Sequence, residues 1–270
     1  MISQVAVVLL NWKGAEDTIK CCKSLEDSGI LAGDIYIVDN DSPDDSEATL
    51  KTALPGSNVI QSGRNGGFSW GCNVGIRAAL EKHYEYIWLL NNDTTVDDKT
   101  LPNIINKAQA ESLGITGCTI RDMHKPHNLQ MFGGGRVNFL TGTTYLNKNI
   151  HGKLDFVSGA SMLISREVIE SIGLLDEGYM MYWEDVEYSI RALKAGYRIN
   201  FSSEAIVYHK DGGSVGRRSK LKARYITAST RRFFKQTSRS WMIPIMYQQL
   251  GRSIMSIKRR EFEFLKEIWS

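Results

Sequence analysis

Residues 86–93 read YIWLLNND. Tyr86 to Leu90 are apolar without interruption, and the run then stops on two amides and a carboxylate. Continuous apolar character is expected of a strand buried on both faces of a parallel sheet. The same grammar occurs twice upstream, in VAVVLLNW over 5–12 and in DIYIVDNDS over 34–42. Between these runs the spacing turns helical. Ile19, Cys22 and Leu25 predict a helix over 15–28 that Gly29 ends, and further helices are predicted over 44–54, 68–82 and 99–111. Shorter strands fit 58–61 and 115–120. Strand and helix alternate, so the first half is expected to be an open, mostly parallel α/β sheet with helices on both faces. Right-handed crossovers then gather the strand carboxyl ends on one edge, where ligands bind. Asn11-Trp12, Asp39-Asn40 and Asn91-Asn92-Asp93 all fall on that edge.

The chain has 270 residues, enough for one large α/β domain with an appendage. Its four cysteines, Cys21, Cys22, Cys72 and Cys118, have no metal-ligand spacing and read as small hydrophobes in a reducing compartment. The first residues, MISQVAVVLLNW, lack a basic stretch and read as a first strand, not a signal peptide. The net charge of +3 is unevenly spread. Residues 1–211 carry 19 Lys or Arg against 27 acids, whereas residues 212–270 carry 14 against 3. A boundary is therefore expected near Gly212-Gly213.

Residues 121–155 are rich in Gly, Asn and Thr and show little periodicity. Residues 155–165 return to strand character around Ser158-Gly159-Ala160-Ser161, whose small side chains allow close approach by another backbone or a ligand. Residues 176–209 read DEGYMMYWEDVEYSIRALKAGYRINFSSEAIVYH. Aromatic residues lead into Glu184, Asp185 and Glu187, and a helix follows with Val186, Ile190 and Leu193 on one face. Gly196 stops it, and a strand over 198–209 ends on His209. Acids suit a helix N-terminus for structural reasons alone. Carboxylates beside Tyr182 and Trp183 also suit a sugar held near an acid or base.

Each polar cluster has two explanations. Asn91-Asn92-Asp93 makes a good turn, and Asp93 could equally hold a cation that bridges two phosphates. Asp39 could cap a turn or bind a base or ribose. Arg64-Asn65-Gly66-Gly67-Phe68 precedes a helix and could meet phosphate or ribose oxygens, but matches neither standard Gly-rich phosphate loop. His209 could be structural or a ligand for a cation such as Mn²⁺.

Taken together, these stretches resemble the family 2 glycosyltransferases of the GT-A fold, and among them the rhamnosyltransferase-like members that build surface polysaccharide. The resemblance rests on Val7 to Trp12, Val38 to Ser42, Asn65 to Phe68 with Gly71, Asn73 and Gly75, Leu90 to Asp93, Gly159 to Ile164, Asp176-Glu177, Trp183-Glu184-Asp185, and His209 with Gly212 and Ser214. It spans residues 4–214 in the family's order. It implies a GT-A-type, Rossmann-like sheet, a nucleotide-sugar donor and inversion at the anomeric carbon. By the match, Asp39 is the base-binding acid, Asp93 the last acid of the Asp-x-Asp metal motif, Asp185 the catalytic base and His209 the second metal position. Mn²⁺ or Mg²⁺ is the implied cofactor. Asn11, Asn65, Gly67, Asn73, Asn91 and Asn92 are expected on the donor, and Trp183 and Glu184 on the acceptor. Asn91 stands where the family has its first metal acid, so the site carries less charge.

The resemblance predicts a catalytic domain over 1–213, with a nucleotide-sugar half to about 120 and an acceptor half from 121, and a basic helical extension over 214–270. The expected reaction moves a sugar, L-rhamnose from dTDP-rhamnose being the best guess, to a hydroxyl of a glycan or lipid-linked acceptor. A sugar-phosphate nucleotidyltransferase shares the architecture but wants a basic Gly-rich loop after strand one, which Asn11-Trp12-Lys13-Gly14 does not supply. A glycan-binding relative without activity would not need Asp93, Asp185 and His209. In the extension, a helix over 222–236 has Ile226 and Phe233 on one face. Another over 241–257 aligns Met246, Leu250, Ile254 and Ile257, with Arg252 and Lys258-Arg259-Arg260 on or beyond its polar side. No run reaches the ~20 apolar residues of a membrane span. Such amphipathic helices can pack on the catalytic domain with their charges in water; the absence of any acid between Gly212 and Arg260 instead favours an anionic membrane surface and a peripheral site on the cytoplasmic face. Nucleic acid is not expected, since no recognition motif accompanies the charge.

Overall fold

The computed structural model describes residues 4–210 and 219–269. The expected boundary at Gly212-Gly213, and the motif positions Gly212 and Ser214, lie outside them.

The donor side follows the expected alternation. Strand β1 (Val5–Asn11) leads to α1 (Ala15–Asp27), β2 (Ile35–Asp39), α2 (Ser46–Ala53), β3 (Asn58–Gln61), α3 (Gly67–Leu80) and β4 (Tyr86–Asn91). Next come β5 (Thr94–Val96), α4 (Thr100–Ala110) and β6 (Ile115–Asp122). The acceptor side holds β7 (Leu129–Phe132), β8 (Gly134–Asn138), β9 (Thr143–Leu146), β10 (Phe156–Val157), β11 (Ser161–Ser165), α5 (Arg166–Ile172), α6 (Glu184–Lys194) and β12 (Ile199–His209). The chain closes with α7 (Lys220–Thr237), α8 (Met242–Lys258) and α9 (Leu265–Trp269).

The main sheet runs β3-β2-β1-β4-β11-β6-β12-β5, with β7 added on β6. It is parallel from β3 to β4 and again between β6 and β12, whereas β11 enters antiparallel. Successive strand residues face opposite sides, so a buried sheet needs apolar residues at every position. Val5, Val7 and Leu9 of β1 join a core under α1, α2 and α4. Ala6 and Val8 join the core under α3, α5 and α6. Trp88 is fully buried, and its indole N–H donates to Ser161 Oγ at 3.0 Å, tying β4 to β11. This is the mixed α/β architecture of GT-A enzymes.

Two expectations need correction, and two further stretches hold elements that were not expected. Residues 121–155 are not irregular: β8 and β9 form a small sheet with β10. The strands are short, and Gly134 and Gly135 sit against neighbouring backbone where a Cβ would come within 2.2 Å of Phe156 O and Tyr145 O. Glycine there removes the alternation that marks a strand. The single strand expected over 155–165 is two, β10 and β11, separated at Ser158–Ala160. Helix α5, which the apolar spacing did not suggest, follows β11 with Ser165 accepting from Val168 N as its cap. Leu193 is 39% exposed and does not share the buried face of Val186 and Ile190.

Candidate active site

The carboxyl edge of the sheet is organised by a chain of buried hydrogen bonds. Asn92 Nδ2 donates to Thr18 Oγ1 (2.9 Å), Thr18 Oγ1 donates to Asn11 Oδ1 (2.9 Å), and Asn11 Nδ2 donates to Asp39 Oδ1 (2.7 Å). Asp39 also accepts from Ser42 N, Ser42 Oγ and Gln61 Nε2. The ends of β4, β1 and β2 and the start of α1 are thereby fixed to one another. Lys13 and Asp41, just past β1 and β2, both adopt positive φ.

A cavity of about 640 Å³ opens above this layer. Asn65, Gly67, Asn91, Asn92, Asp93, Glu184, Asp185 and His209 line it. Four other expected site residues do not. Asn11 and Asp39 are fully buried, their polar atoms spent on the turns described above. Asn73 is fully buried on α3, where it accepts from Leu175 N and donates to Leu175 O and Glu177 Oε1, fastening the 175–177 loop. Trp183 packs its ring on Phe233 (centroids 4.7 Å apart) and Phe234 (5.5 Å), so it is not presented as a sugar platform.

Gly67 has a local reason for its identity. Its φ is +87°, and a Cβ would fall 2.3 Å from Met180 O. The loop before α3 thus lies directly on the 180–183 segment, with Phe68 N donating to Met180 O at 2.9 Å. Asn40 Nδ2 donates to Asn65 Oδ1 and Gly67 O and holds that loop.

Asp185 and Glu184 begin α6. The two residues before them, Tyr182 and Trp183, have φ of 70° and 71°. Left-handed geometry is costly for such side chains and persists only where packing enforces it. Helix α7 supplies the packing. Ser229 Oγ donates to Met181 O, Tyr179 OH donates to Gln236 Oε1, and Arg232 grips Asp176 with two bonds of 2.9 and 2.8 Å. Leu221, Lys222 and Tyr225 of α7 reach the cavity wall. Phe233 and Phe234 of α7 and Ile245 of α8 thus share one core with Tyr179, Trp183 and Val186, so these helices pack on the sheet domain.

The two acids differ in environment. Asp185 Oδ2 accepts from Gly159 N (2.9 Å) and Oδ1 from Val186 N (2.8 Å). Burial raises its pKa, and these backbone donors oppose the rise. Glu184 Oε2 is buried with no hydrogen-bond partner among the described residues. Burial, then the charge of Asp185, pushes Glu184 up to about 8. The backbone donors favour the ionised form of Asp185, and Glu184 Oε2 has no such donor among the described residues, so of the two Glu184 is the better placed to keep a proton.

Asp93 and His209 are brought together because β12 pairs antiparallel with β5, setting His209 opposite Thr94. His209 Nε2 lies 3.2 Å from Asp93 Oδ1 and 3.2 Å from Asn91 Nδ2. No group of three or more His, Cys, Asp or Glu ligands occurs among the described residues. A carboxylate, an imidazole and an amide still make a reasonable partial set for Mn²⁺, which accepts oxygen and imidazole ligands together. Diphosphate and water would complete it. The residues fit a divalent cation shared between protein and donor.

The profile of Glycosyl transferase family 2 matches residues 6–173. The chain is a member of that family. The matched span includes the edge from Asn11 to Asp93 and stops before Asp185 and His209. A hexosyltransferase of low-salt glycan biosynthesis from Haloferax volcanii is 26% identical over 74% of this chain and 64% of its own length. A dTDP-rhamnosyl transferase from Shigella flexneri is 26% identical over 66% of this chain and 60% of its own. The chain thus spans less than two-thirds of these relatives. Among solved structures, a mannosyltransferase from Pyrobaculum calidifontis in complex with GDP-mannose and Mn²⁺ superposes with a TM-score of 0.63. It is 12% identical, covering 98% of this chain and 73% of that one. GalNAc-T7 with UDP, GalNAc and Mn²⁺ gives 0.69 at 16% identity, over 93% of this chain and 51% of that one. At such identities the likeness concerns the fold.

Proposed function

We propose that this family 2 glycosyltransferase moves a hexosyl group, with L-rhamnose from dTDP-rhamnose as the first choice, to a hydroxyl of a glycan or lipid-linked acceptor, inverting the anomeric carbon. The observation that carries the reading is that Asp185 and Glu184 open α6 in the cavity that also holds Asp93 and His209, with two backbone N–H groups on the Asp185 carboxylate and no partner on Glu184 Oε2 among the described residues. The acceptor oxygen attacks the anomeric carbon as the bond to the diphosphate oxygen breaks. Asp185 takes the hydroxyl proton, and the nucleoside diphosphate leaves with the bonding electrons. Protonated Glu184 is no nucleophile, in keeping with a single displacement and inversion. It can donate a hydrogen bond to a sugar hydroxyl.

Asp93 and His209, with Asn91, would hold Mn²⁺ or Mg²⁺, which neutralises charge on the leaving diphosphate when bound. Asn65 and Asn92 face the donor, and Asn11 and Asp39 act beneath it by fixing the turns at its edge. The rhamnosyl donor draws support from the Shigella relative. The test is transfer from dTDP-rhamnose, compared with UDP- and GDP-hexoses. Asp185→Asn should retain donor binding and lose at least ~100-fold in turnover, as for a lost general base. Near-wild-type turnover would remove Asp185 from the mechanism.

The enzyme is further proposed to work at the cytoplasmic membrane face, resting α8 on anionic lipid. No helix among the described residues is long and apolar enough to cross a membrane. Support comes from the inverted polarity of α8. After Pro244 and Ile245, which are buried at its start, its buried residues are Gln248, Gln249, Ser253 and Ser256, while Met246, Leu250, Ile254 and Ile257 are about half exposed. Residues 212–270 carry 14 Lys or Arg and 3 acids, the charge that anionic headgroups attract.

A further inference from the structure

Gln130 stands behind His209 at a break in its strand. Strand β7 pairs Met131 with Ile120 and Leu129 with Arg121, so Gln130 has no partner in the ladder. Such a bulge re-aims the side chain it carries. Gln130 is turned onto His209 and bonded to it twice. Its Nε2 donates to the backbone oxygen of His209 at 2.9 Å. Its Oε1 lies 3.1 Å from His209 Nδ1.

These two bonds decide where the imidazole proton resides. A carbonyl oxygen only accepts, so the amide end facing it must be the NH₂ group. The end facing Nδ1 is then oxygen, which also only accepts. Nδ1 must carry the hydrogen. In the neutral ring Nε2 is left with its lone pair, and Nε2 is the nitrogen beside Asp93 Oδ1 and Asn91.

We propose that Gln130 is a positioning residue that locks His209 in the Nδ1–H tautomer and so presents the Nε2 lone pair to a divalent cation held with Asp93. The cation half rests on the metal reading above; the tautomer half does not. With Nε2 unprotonated, its lone pair accepts from Asn91 Nδ2 at 3.2 Å and lies 3.2 Å from Asp93 Oδ1, so a cation held by Asp93 would take the place of that amide hydrogen. Partners of a ligand's second nitrogen fix ring orientation, and losing one commonly costs 10–100-fold in metal affinity.

The test uses the full chain and two variants. Gln130→Ala removes both bonds. Gln130→Glu keeps an acceptor for Nδ1–H, loses the donation to His209 O and adds a negative charge beside the ring. Long-range ¹⁵N–¹H spectra of metal-free protein, taken well above the usual imidazole pKa of about 6.5, report the tautomer. His209→Gln assigns the signal. Wild type and Gln130→Glu should show Nδ1–H, and Gln130→Ala should show an Nε2–H population. Calorimetry of dTDP binding with and without Mn²⁺ gives the second readout. The Mn²⁺-dependent gain should fall about 10–100-fold in Gln130→Ala and largely survive in Gln130→Glu. An unchanged tautomer in Gln130→Ala overturns the lock. An altered tautomer with no Mn²⁺ dependence in wild type overturns the cation half and the metal reading together, leaving the lock standing. Equal Mn²⁺ dependence in wild type and Gln130→Ala overturns the claim that the lock serves the cation.

Discussion

Helices α7 and α8 are neighbours in one basic segment, and they dispose of their apolar residues in opposite ways. Phe233 and Phe234 of α7 are fully buried against Trp183. Leu250 and Ile254 of α8 are 51% and 53% exposed, while Gln248 and Gln249 face inward. The inward groups are satisfied: Gln248 Nε2 donates to Gly142 O, Gln249 Nε2 to Ile268 O, and Arg252 to Thr227 Oγ1 and Ala223 O. A solvent-facing helix normally has the reverse arrangement. An amphipathic pattern therefore says that a face will be covered, not what covers it. In α7 the cover is the catalytic core. In α8 the outer face is exposed among the described residues, and the proposed cover is anionic lipid.

The largest effect should come from emptying the α7 side. Phe233→Ala removes a fully buried ring from the cluster that holds Tyr182 and Trp183 in left-handed geometry. A loss of about 3–5 kcal/mol is expected in denaturant unfolding. Loss of under ~1 kcal/mol would mean that α7 is only laid on the domain.

Glu184 offers a finer probe of the closure α7 provides. Its ordinary pKa is 4.5, and folding raises it to about 8. Between those values the folded protein holds a proton that the unfolded chain has released. Wild-type stability therefore falls as pH rises through that window. Glu184→Gln removes the dependence. Its stability relative to wild type should climb from about pH 5 to about pH 8 and then level off, by something on the order of 4 kcal/mol. Transfer should stay within a few-fold, since glutamine also donates a hydrogen bond. A stability difference that does not vary with pH would show Glu184 to be ionised in the fold.

The same contrast explains what could be read from sequence. The strands ending at Asn11, Asp39 and Asn91 were legible because burial on both faces leaves an unbroken apolar run. That Asp185, Asp93 and His209 would lie at one cavity could be read because each follows or opens a strong element. Trp183 and Asn73 were misread because sequence gives no direction to a side chain: the Trp183 ring turns to Phe233, and Asn73 spends its amide on Leu175 and Glu177. Gln130 left no signal, as it owes its role to a bulge in a four-residue strand. Lys222 and Tyr225 were not singled out because an amphipathic pattern shows that a helix packs, not which of its side chains reach a cavity.

Those two α7 residues give an intermediate prediction. Lys222 lies over the Tyr182 ring at 5.5 Å, and both Lys222 and Tyr225 line the cavity. Lys222→Ala with Tyr225→Ala should raise KM for a soluble acceptor about tenfold, ~1.4 kcal/mol. Unchanged kinetics would place the acceptor away from α7.

The smallest effect on the folded chain should come from the outer face of α8, and that smallness is the point. Leu250→Ser with Ile254→Ser replaces side chains already about half exposed, so each should alter stability by no more than ~0.5 kcal/mol. Turnover of a soluble acceptor should not change. Removing residues 219–269 would be a poor substitute, because it also strips α7 and its buried phenylalanines from the core. On vesicles containing anionic lipid the outcome should differ sharply from that in solution. Apolar burial of the α8 face, plus about 1 kcal/mol for each Lys or Arg near the headgroups, would drive wild-type binding. The charge contribution weakens with salt. Wild type should therefore float with anionic vesicles at low salt and less so at high salt, and the double variant should stay in solution. Equal flotation of the two proteins would sink the lipid assignment. A wild type that does not float but dimerises, and a double variant that is monomeric, would assign the α8 face to a second copy of the chain instead.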